Sequence, residues 1–163
     1  MNSGEEAMRG SAAAVMAVGL VAGGLATPLR AELEVARDLM EAGRFAEAKA
    51  ELWPAARSGN AEAEELIGVM YALGLGVERD DMRAFEWYLR SAMKGHPGAQ
   101  SGVGWYYEVG RGLPAPDPVR AYLWYALSAI GGDVDAPDSL ASISQRMSAE
   151  ETEQPHELTQ DYK

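Results

Sequence analysis

Two histidines, a run of aspartates and two Gly-x-Gly loops are where this chain's residue types could do chemistry. His96 lies in the turn Gly95-His96-Pro97-Gly98, and His156 lies in a polar stretch near the C-terminus. Neither has a second ligand at metal-binding spacing, so a surface turn and a tail are the expectation for them. The stretch Asp133-Val134-Asp135-Ala136-Pro137-Asp138 has the acidic alternation of a calcium loop. It lacks the glycine of the sharp bend and the closing bidentate glutamate that calcium needs. Asp138 is instead placed to cap a helix running to Met147. The pair Asp80-Asp81 and the carboxylates Glu62, Glu64 and Glu65 read as helix caps and a solvated face. Gly74-Leu75-Gly76 and Gly110-Arg111-Gly112 precede no Lys-Ser or Lys-Thr, so they are helix stops rather than a phosphate cradle. The chain has no cysteine, which excludes a thiol nucleophile, Cys-ligated zinc and a disulfide framework. No Ser/His/Asp grouping is suggested by spacing. The expectation is a protein that is not an enzyme, with no cofactor and no metal.

The elements that position these residues come from a block written twice, Ala63 to Gly95 and Ala99 to Gly132. Gly68, Tyr71, Gly74 and Gly76 recur 36 positions later as Gly104, Tyr107, Gly110 and Gly112. Trp87, Tyr88, Ala92 and Gly95 recur 37 positions later as Trp124, Tyr125, Ala129 and Gly132. The additional residue falls in a loop, where insertion is tolerated. A period of this length means stacked units, each unable to bury its apolar face alone. In the first copy Ala63, Leu66, Ile67, Met70 and Tyr71 make one helical stripe, and Ala84, Trp87, Tyr88 and Ala92 make a second. Gly74 and Gly76 end the first helix, Asp80 or Asp81 caps the second, and Gly95 closes it. The aromatics at equivalent repeat positions (Trp87, Tyr88, Trp124, Tyr125) are expected to pack the core, since a ligand box would not recur at the repeat period. A weaker third copy lies upstream. Ala48, Leu52, Ala56 and Gly59 stand 36 residues before Ala84, Tyr88, Ala92 and Gly95, and Val35, Ala36, Leu39 and Met40 form a stripe ended by Gly43. Pro54 removes a hydrogen bond from its second helix and predicts a kink, with Trp53 as end packing. Downstream, Ser148-Ala149-Glu150-Glu151 has the form of a capping box.

The pattern A-x-x-L-x-G-x-x-Y-x-x-G-x-G-V-x-x-D, then A-x-x-W-Y-x-x-x-A-x-x-G, resembles the Sel1-like repeat, a relative of the tetratricopeptide repeat. The copy from Ala63 follows it nearly throughout. The copy from Ala99 departs at Gly102, where leucine is usual, and in the longer loop Leu113-Pro114-Ala115-Pro116-Asp117. The upstream unit is more similar to a tetratricopeptide pair, with Gly43-Arg44-Phe45-Ala46-Glu47-Ala48 as its turn. The resemblance implies an all-α fold, a short right-handed α-solenoid of antiparallel helix pairs with a C-terminal capping helix. The units are 32–59, 61–95 and 97–132, the cap is 138–154, and 155–163 is a polar tail. It also implies scaffold or adaptor work, with a partner protein or peptide held on the concave face. On that arrangement Trp105 takes the place of Val69 and neighbours Arg37, Glu65, Leu73, Ser101, Glu108 and Val109 on the first helices of the pairs. Trp105, with Tyr106 beside it, is the expected ligand-contacting aromatic. The partner-binding candidates are therefore Arg37, Glu65, Val69, Leu73, Ser101, Trp105 and Glu108. Binding of cell-envelope glycan, peptidoglycan or exopolysaccharide, is the second expectation. Hydrolase activity known for Cys-rich relatives is disfavoured by the absence of cysteine.

Ser11 to Leu29 carries no charge and is rich in Ala and Gly. It is too short and too weakly apolar for a membrane span and fits the apolar region of a secretory signal peptide over residues 1–31. A cut after Ala26 or after Ala31 fits, the latter leaving Glu32 to open the first amphipathic helix. Glu5 and Glu6 oppose Arg9 ahead of the apolar run, a conflict that a start at Met8 removes. The expected mature protein is periplasmic or secreted, from a Gram-negative bacterium, without stable membrane insertion. A net charge of −11 and a pI near 4.6 repel phosphate backbones and anionic headgroups, so nucleic acid is not an expected partner. Oligomeric state is left open by the sequence.

Overall fold

The computed structural model of this chain describes the backbone of residues 26–153. Most of the expected signal peptide, the tail 155–163 and His156 lie outside the described residues. Among the described residues seven helices follow one another before a last helical turn at 149–153: α1 (Ala26–Glu41), α2 (Phe45–Arg57), α3 (Ala61–Leu73), α4 (Asp81–Ala92), α5 (Pro97–Val109), α6 (Pro118–Ile130) and α7 (Ala136–Arg146). Each packs chiefly on the helices before and after it, the one-dimensional contact order of a stacked repeat. Among the described residues no strand occurs, and no helix is long and apolar enough to cross a membrane.

The pairing of α3 with α4 can be followed residue by residue. Ser91 Oγ donates to the carbonyl of Ala61 at 2.6 Å, Arg90 reaches Glu64, a Cβ on Gly68 would touch Tyr88 at 3.2 Å, and Arg83 stacks over Tyr71. One partner number rises as the other falls, so the helices are antiparallel. The second copy repeats this. Ser128 Oγ donates to Pro97 O at 2.7 Å, and a Cβ on Gly104 would stand 2.9 Å from the Tyr125 ring. The small residue on the first helix is thus a slot for the tyrosine of the second, which explains why both recur.

The two glycines of each Gly-x-Gly loop have different tasks. Gly74 and Gly110 are the left-handed caps of α3 and α5, with φ of 73° and 68°. Gly76 is not a second stop: a Cβ there would stand 2.8 Å from Phe45 backbone at the start of α2. Gly112 sits likewise against Asp81 and Met82 at the start of α4, at 3.1 Å. The second glycine seats each loop on the preceding unit. Asp80 and Asp117 cap α4 and α6 by accepting from Arg83 and Arg120 backbone N–H groups. Asn60 does the same for α3.

Leu33, Leu52, Ile67, Met70, Ala84 and Tyr106 share one core that spans α1 to α5. Ala121, Tyr125 and Ile143 seat α7 on α6. Trp53 packs on Trp87 with ring centres 5.7 Å apart, and α2 runs on through Pro54 to Arg57. Two boundaries differ from the sequence reading. α1 is already helical at Ala26, the first described residue and ahead of the expected start at Glu32, and its Leu29 packs on the core. α7 begins at Ala136, so Asp138 stands in its first turn and not at its cap, because Pro137 is preorganised for that turn. Ser148 and Glu151 exchange both bonds of a capping box, at 2.8 and 3.2 Å, and a further helical turn starts there.

Gly102 also has a packing reason. A Cβ at that position would stand 2.8 Å from the Tyr88 ring, which enters the slot between Gly68 and Gly102. Gly102→Leu, the residue that Leu66 supplies one repeat earlier, is expected to cost about 1–3 kcal/mol through overpacking. Urea unfolding checks this, and an unchanged midpoint would mean that Tyr88 has another place to go.

Candidate functional site

The first helices of the pairs, α3 and α5, carry stripes at i, i+4 and i+8: Glu65, Val69 and Leu73 on one, Ser101, Trp105 and Val109 on the other. Leu73 is 65% exposed and Trp105 41% exposed. Two open depressions flank Trp105. The larger, about 650 Å³, lies between α5 and the start of α7, where Ser101, Gly102, Trp105, Asp135 and Ser139 meet. The smaller, about 440 Å³, lies between α3 and α5 and includes Leu73, Arg79, Asp81, Trp105, Tyr106 and Arg111. Trp105 is therefore a ridge with a hollow on either side.

The structure separates the candidates. Leu73, Ser101 and Trp105 line the two hollows. Val69 is half-buried and lines neither. Arg37 stands further along the array, paired with Glu62 at 2.6 Å beside a hollow between α1 and α3. Glu108 accepts from the Tyr125 hydroxyl at 2.6 Å and from Arg146, so it ties α5 to α6 and α7. Tyr106 is buried in the core, because one helical step turns it away from the ridge that Trp105 forms. Its hydroxyl lies beside Asp81 without a hydrogen-bond partner, and burial pushes its pKa up to about 12.

The acidic run after Ala63 is not one solvated face. Glu64 is 0% exposed and is held by Arg90 at 3.0 Å and by Lys94. The equivalent residue one repeat on, Gln100, is also buried and donates to Ala92 O at 3.3 Å. Asp133 accepts from Asp135 N, and its second oxygen lies 2.8 Å from Ser128 Oγ, whose one proton it shares with Pro97 O, which explains the acidic loop as a closed turn. Among the described residues no group of three or more His, Asp or Glu is placed to hold a metal.

Glu65 sits where the turn before α5 closes on α3. Its carboxylate is 3.5 Å from His96 Nδ1, and a Cβ on Gly98 would strike its Oε1. His96 is therefore half-buried against a carboxylate and not an open surface turn. Burial raises the Glu65 pKa above the usual carboxylate value. His96 and Arg37 draw it down, and Glu62 and Asp133 push it up. A carboxyl with a raised folded-state pKa keeps its stabilising proton fully below the unfolded value of 4.5 and loses that contribution as pH rises through the folded value. Glu65→Gln is thus expected to gain stability relative to the parent between about pH 4 and pH 7. Urea midpoints at the two pH values check this, and a gap that does not widen towards pH 7 would contradict it.

Comparison with known proteins gives a consistent picture. Residues 61–96 and 97–133 each match the family profile described as Sel1 repeat. Over 62 residues the chain is 40% identical to the ERAD-associated E3 ubiquitin-protein ligase component HRD3A of Arabidopsis thaliana, covering 38% of this chain and 9% of that one. Over 90 residues it is 36% identical to the chitin synthase regulator SKT5 of Saccharomyces cerevisiae, covering 54% and 13%. Two solved structures resemble it. One is c5321, a protective antigen of uropathogenic Escherichia coli strains displaying an SLR fold (TM-score 0.75, 22% identity, 82% of this chain and 29% of that one). The other is a Sel1 repeat protein from Oxalobacter formigenes (TM-score 0.64, 31% identity, 68% and 45%). The chain spans about a tenth of the curated relatives' length and under half of either solved chain.

Proposed function

We propose, from the premise that this chain is a Sel1-repeat protein with repeats at 61–96 and 97–133, that it is an exported binding module holding a segment of a partner protein across its first helices. Sel1 repeats are protein-interaction units, and two matched proteins are named as a ligase component and a synthase regulator. The observation that carries the reading is Trp105, an exposed tryptophan between two hollows at a position where the preceding copy has valine. A residue needed only for stacking would recur in both copies. An amphipathic aromatic on rigid helices is the usual form of an interface anchor. Short peptides or helices dock on such a face through apolar anchors and flanking charges. Capture of a partner from envelope extract by the parent, and its loss in Trp105→Ala, tests the reading. Unchanged capture would overturn it.

Glycan binding remains the second reading. The larger hollow sets the Trp105 ring beside Ser101, Ser139 and Asp135, and an aromatic face with hydroxyls and a carboxylate suits a sugar. Cell-wall fragments alone would then change the tryptophan fluorescence, and a flat titration removes this reading.

Export rests on the uncharged run Ser11 to Leu29. Leu29 of α1 packs on the core, which favours a cut ahead of it, after Ala26, over one after Ala31. N-terminal sequencing of periplasmic protein should begin at Thr27. Recovery of residue 1 at the mature terminus contradicts export by cleavage.

A further inference from the structure

Arg79 and Arg111 come from non-equivalent places in the two copies, one just before α4 and the other between the glycines after α5. The fold brings both to a single carboxylate. Arg79 Nη2 is 3.3 Å from Asp81 Oδ1, and Arg111 Nε is 3.4 Å from Asp81 Oδ2. Both distances exceed the length of a good charge-assisted hydrogen bond. Two guanidiniums against one carboxylate leave one positive charge, on a chain whose net charge is −11. The arginine side chains are 46% and 48% exposed, and each has N–H donors beyond the one nearest Asp81.

This charge stands at the rim of the smaller hollow, beside Leu73 and Trp105. The Arg111 guanidinium lies 5.9 Å from the Trp105 ring centre, close enough for the ring face to orient it. Its loop is seated, because Gly112 lies against the start of α4. The other edge of the same face has the opposite sign, with Glu62 and Asp133 near enough to Glu65 to raise its proton affinity. The face is therefore acidic where the first helices begin and locally basic where α3 and α5 end.

We propose that the hollow between α3 and α5 takes an acidic side chain of the partner segment, its carboxylate held by Arg79 and Arg111. The apolar residue next to it in the partner covers Leu73 and the Trp105 ring. Planar guanidiniums with spare donors match a carboxylate in two-point geometry, and a second carboxylate cancels the local charge. A basic segment would meet repulsion at this spot and nowhere gain from the arginines. The assignment rests on the protein-binding reading of the face and adds the chemistry of what binds.

The probe is a random-decapeptide display library selected on the full chain, on Arg79→Gln/Arg111→Gln and on Trp105→Ala. The arginines are half-exposed, and unchanged helical circular dichroism and melting establish that each variant is folded. The expected result is enrichment of peptides with Asp or Glu beside an apolar residue. These should bind the double arginine variant roughly tenfold or more weakly, from the loss of charge-assisted hydrogen bonds. Peptides that need Trp105 but carry no acidic residue, or bind the arginine variant equally well, overturn this assignment and leave the protein-binding face standing. Peptides that ignore Trp105 as well, or no enrichment at all, overturn both.

Discussion

Replacing Arg90 and Lys94 together by methionine is expected to lower stability by about 3–5 kcal/mol, because it leaves a wholly buried carboxylate uncompensated. Glu64 has 0% exposure and its two cations come from α4 and the turn after it. The cations themselves are about half-exposed, 51% and 41%, and can return to water when the acid is removed. The two sides of the cluster are therefore unequal. Glu64→Gln, which copies Gln100 of the next repeat, should cost less than the double cation variant. Adding Glu64→Gln to the double variant should recover most of the loss, because the buried charge is then gone. Urea unfolding of the four proteins gives the full cycle. Equal stability of parent and double variant would mean that water reaches Glu64 and that the cluster is an ordinary surface pair.

Trp105→Ala is expected to weaken partner binding by about 2 kcal/mol or more, roughly thirtyfold, with little change in melting temperature. The asymmetry follows from position. Trp105 is 41% exposed at the ridge, and its removal opens no closed cavity. Trp87 is the control: it packs on Trp53 and under Arg90, at 5.7 and 4.5 Å, so Trp87→Ala should reduce stability instead. Titration of the partner with each variant, beside thermal melts, separates the two roles. If Trp105→Ala melts early and binds normally, the residue is core and the face has no anchor there. Glu108 is unsuitable for the same test, since its neutralisation would release Tyr125 and Arg146 and loosen the capping helix.

The helix pairs were legible because their determinants repeat. Gly68 with Tyr88, Gly104 with Tyr125, and the caps Asp80 and Asp117 are local or periodic, and a single period reads them all. What remained hidden depends on contacts between helices far apart in the sequence, within a unit or across two. Glu64 looks like its neighbours Glu62 and Glu65, and only its partners 26 and 30 residues away mark it as buried. Gly76 and Gly112 look like stops, yet their closeness to the preceding unit is a stacking property. Ser91 recurs as Ser128 in the repeat register, so that buried link was present in the sequence as a periodic signal. The candidate site was legible in the residue proposed as its anchor. Trp105 stands out as the departure from Val69, and Leu73 and Ser101 follow from helical spacing. Arg79 and Arg111 occupy different positions in their copies; Arg79 is two residues from Asp81, and nothing but the fold brings Arg111 to the same carboxylate.

The claim that a partner lies across the first helices is tested most directly by photocrosslinking in cells. A benzophenone amino acid is placed singly at Leu73 and Val109 on that face, and at Met82 and Ile130 on the second helices, all four exposed. The account predicts a covalent partner adduct from Leu73 and Val109 and none from Met82 or Ile130. Adducts confined to Met82 and Ile130, or equal from all four positions, would contradict it.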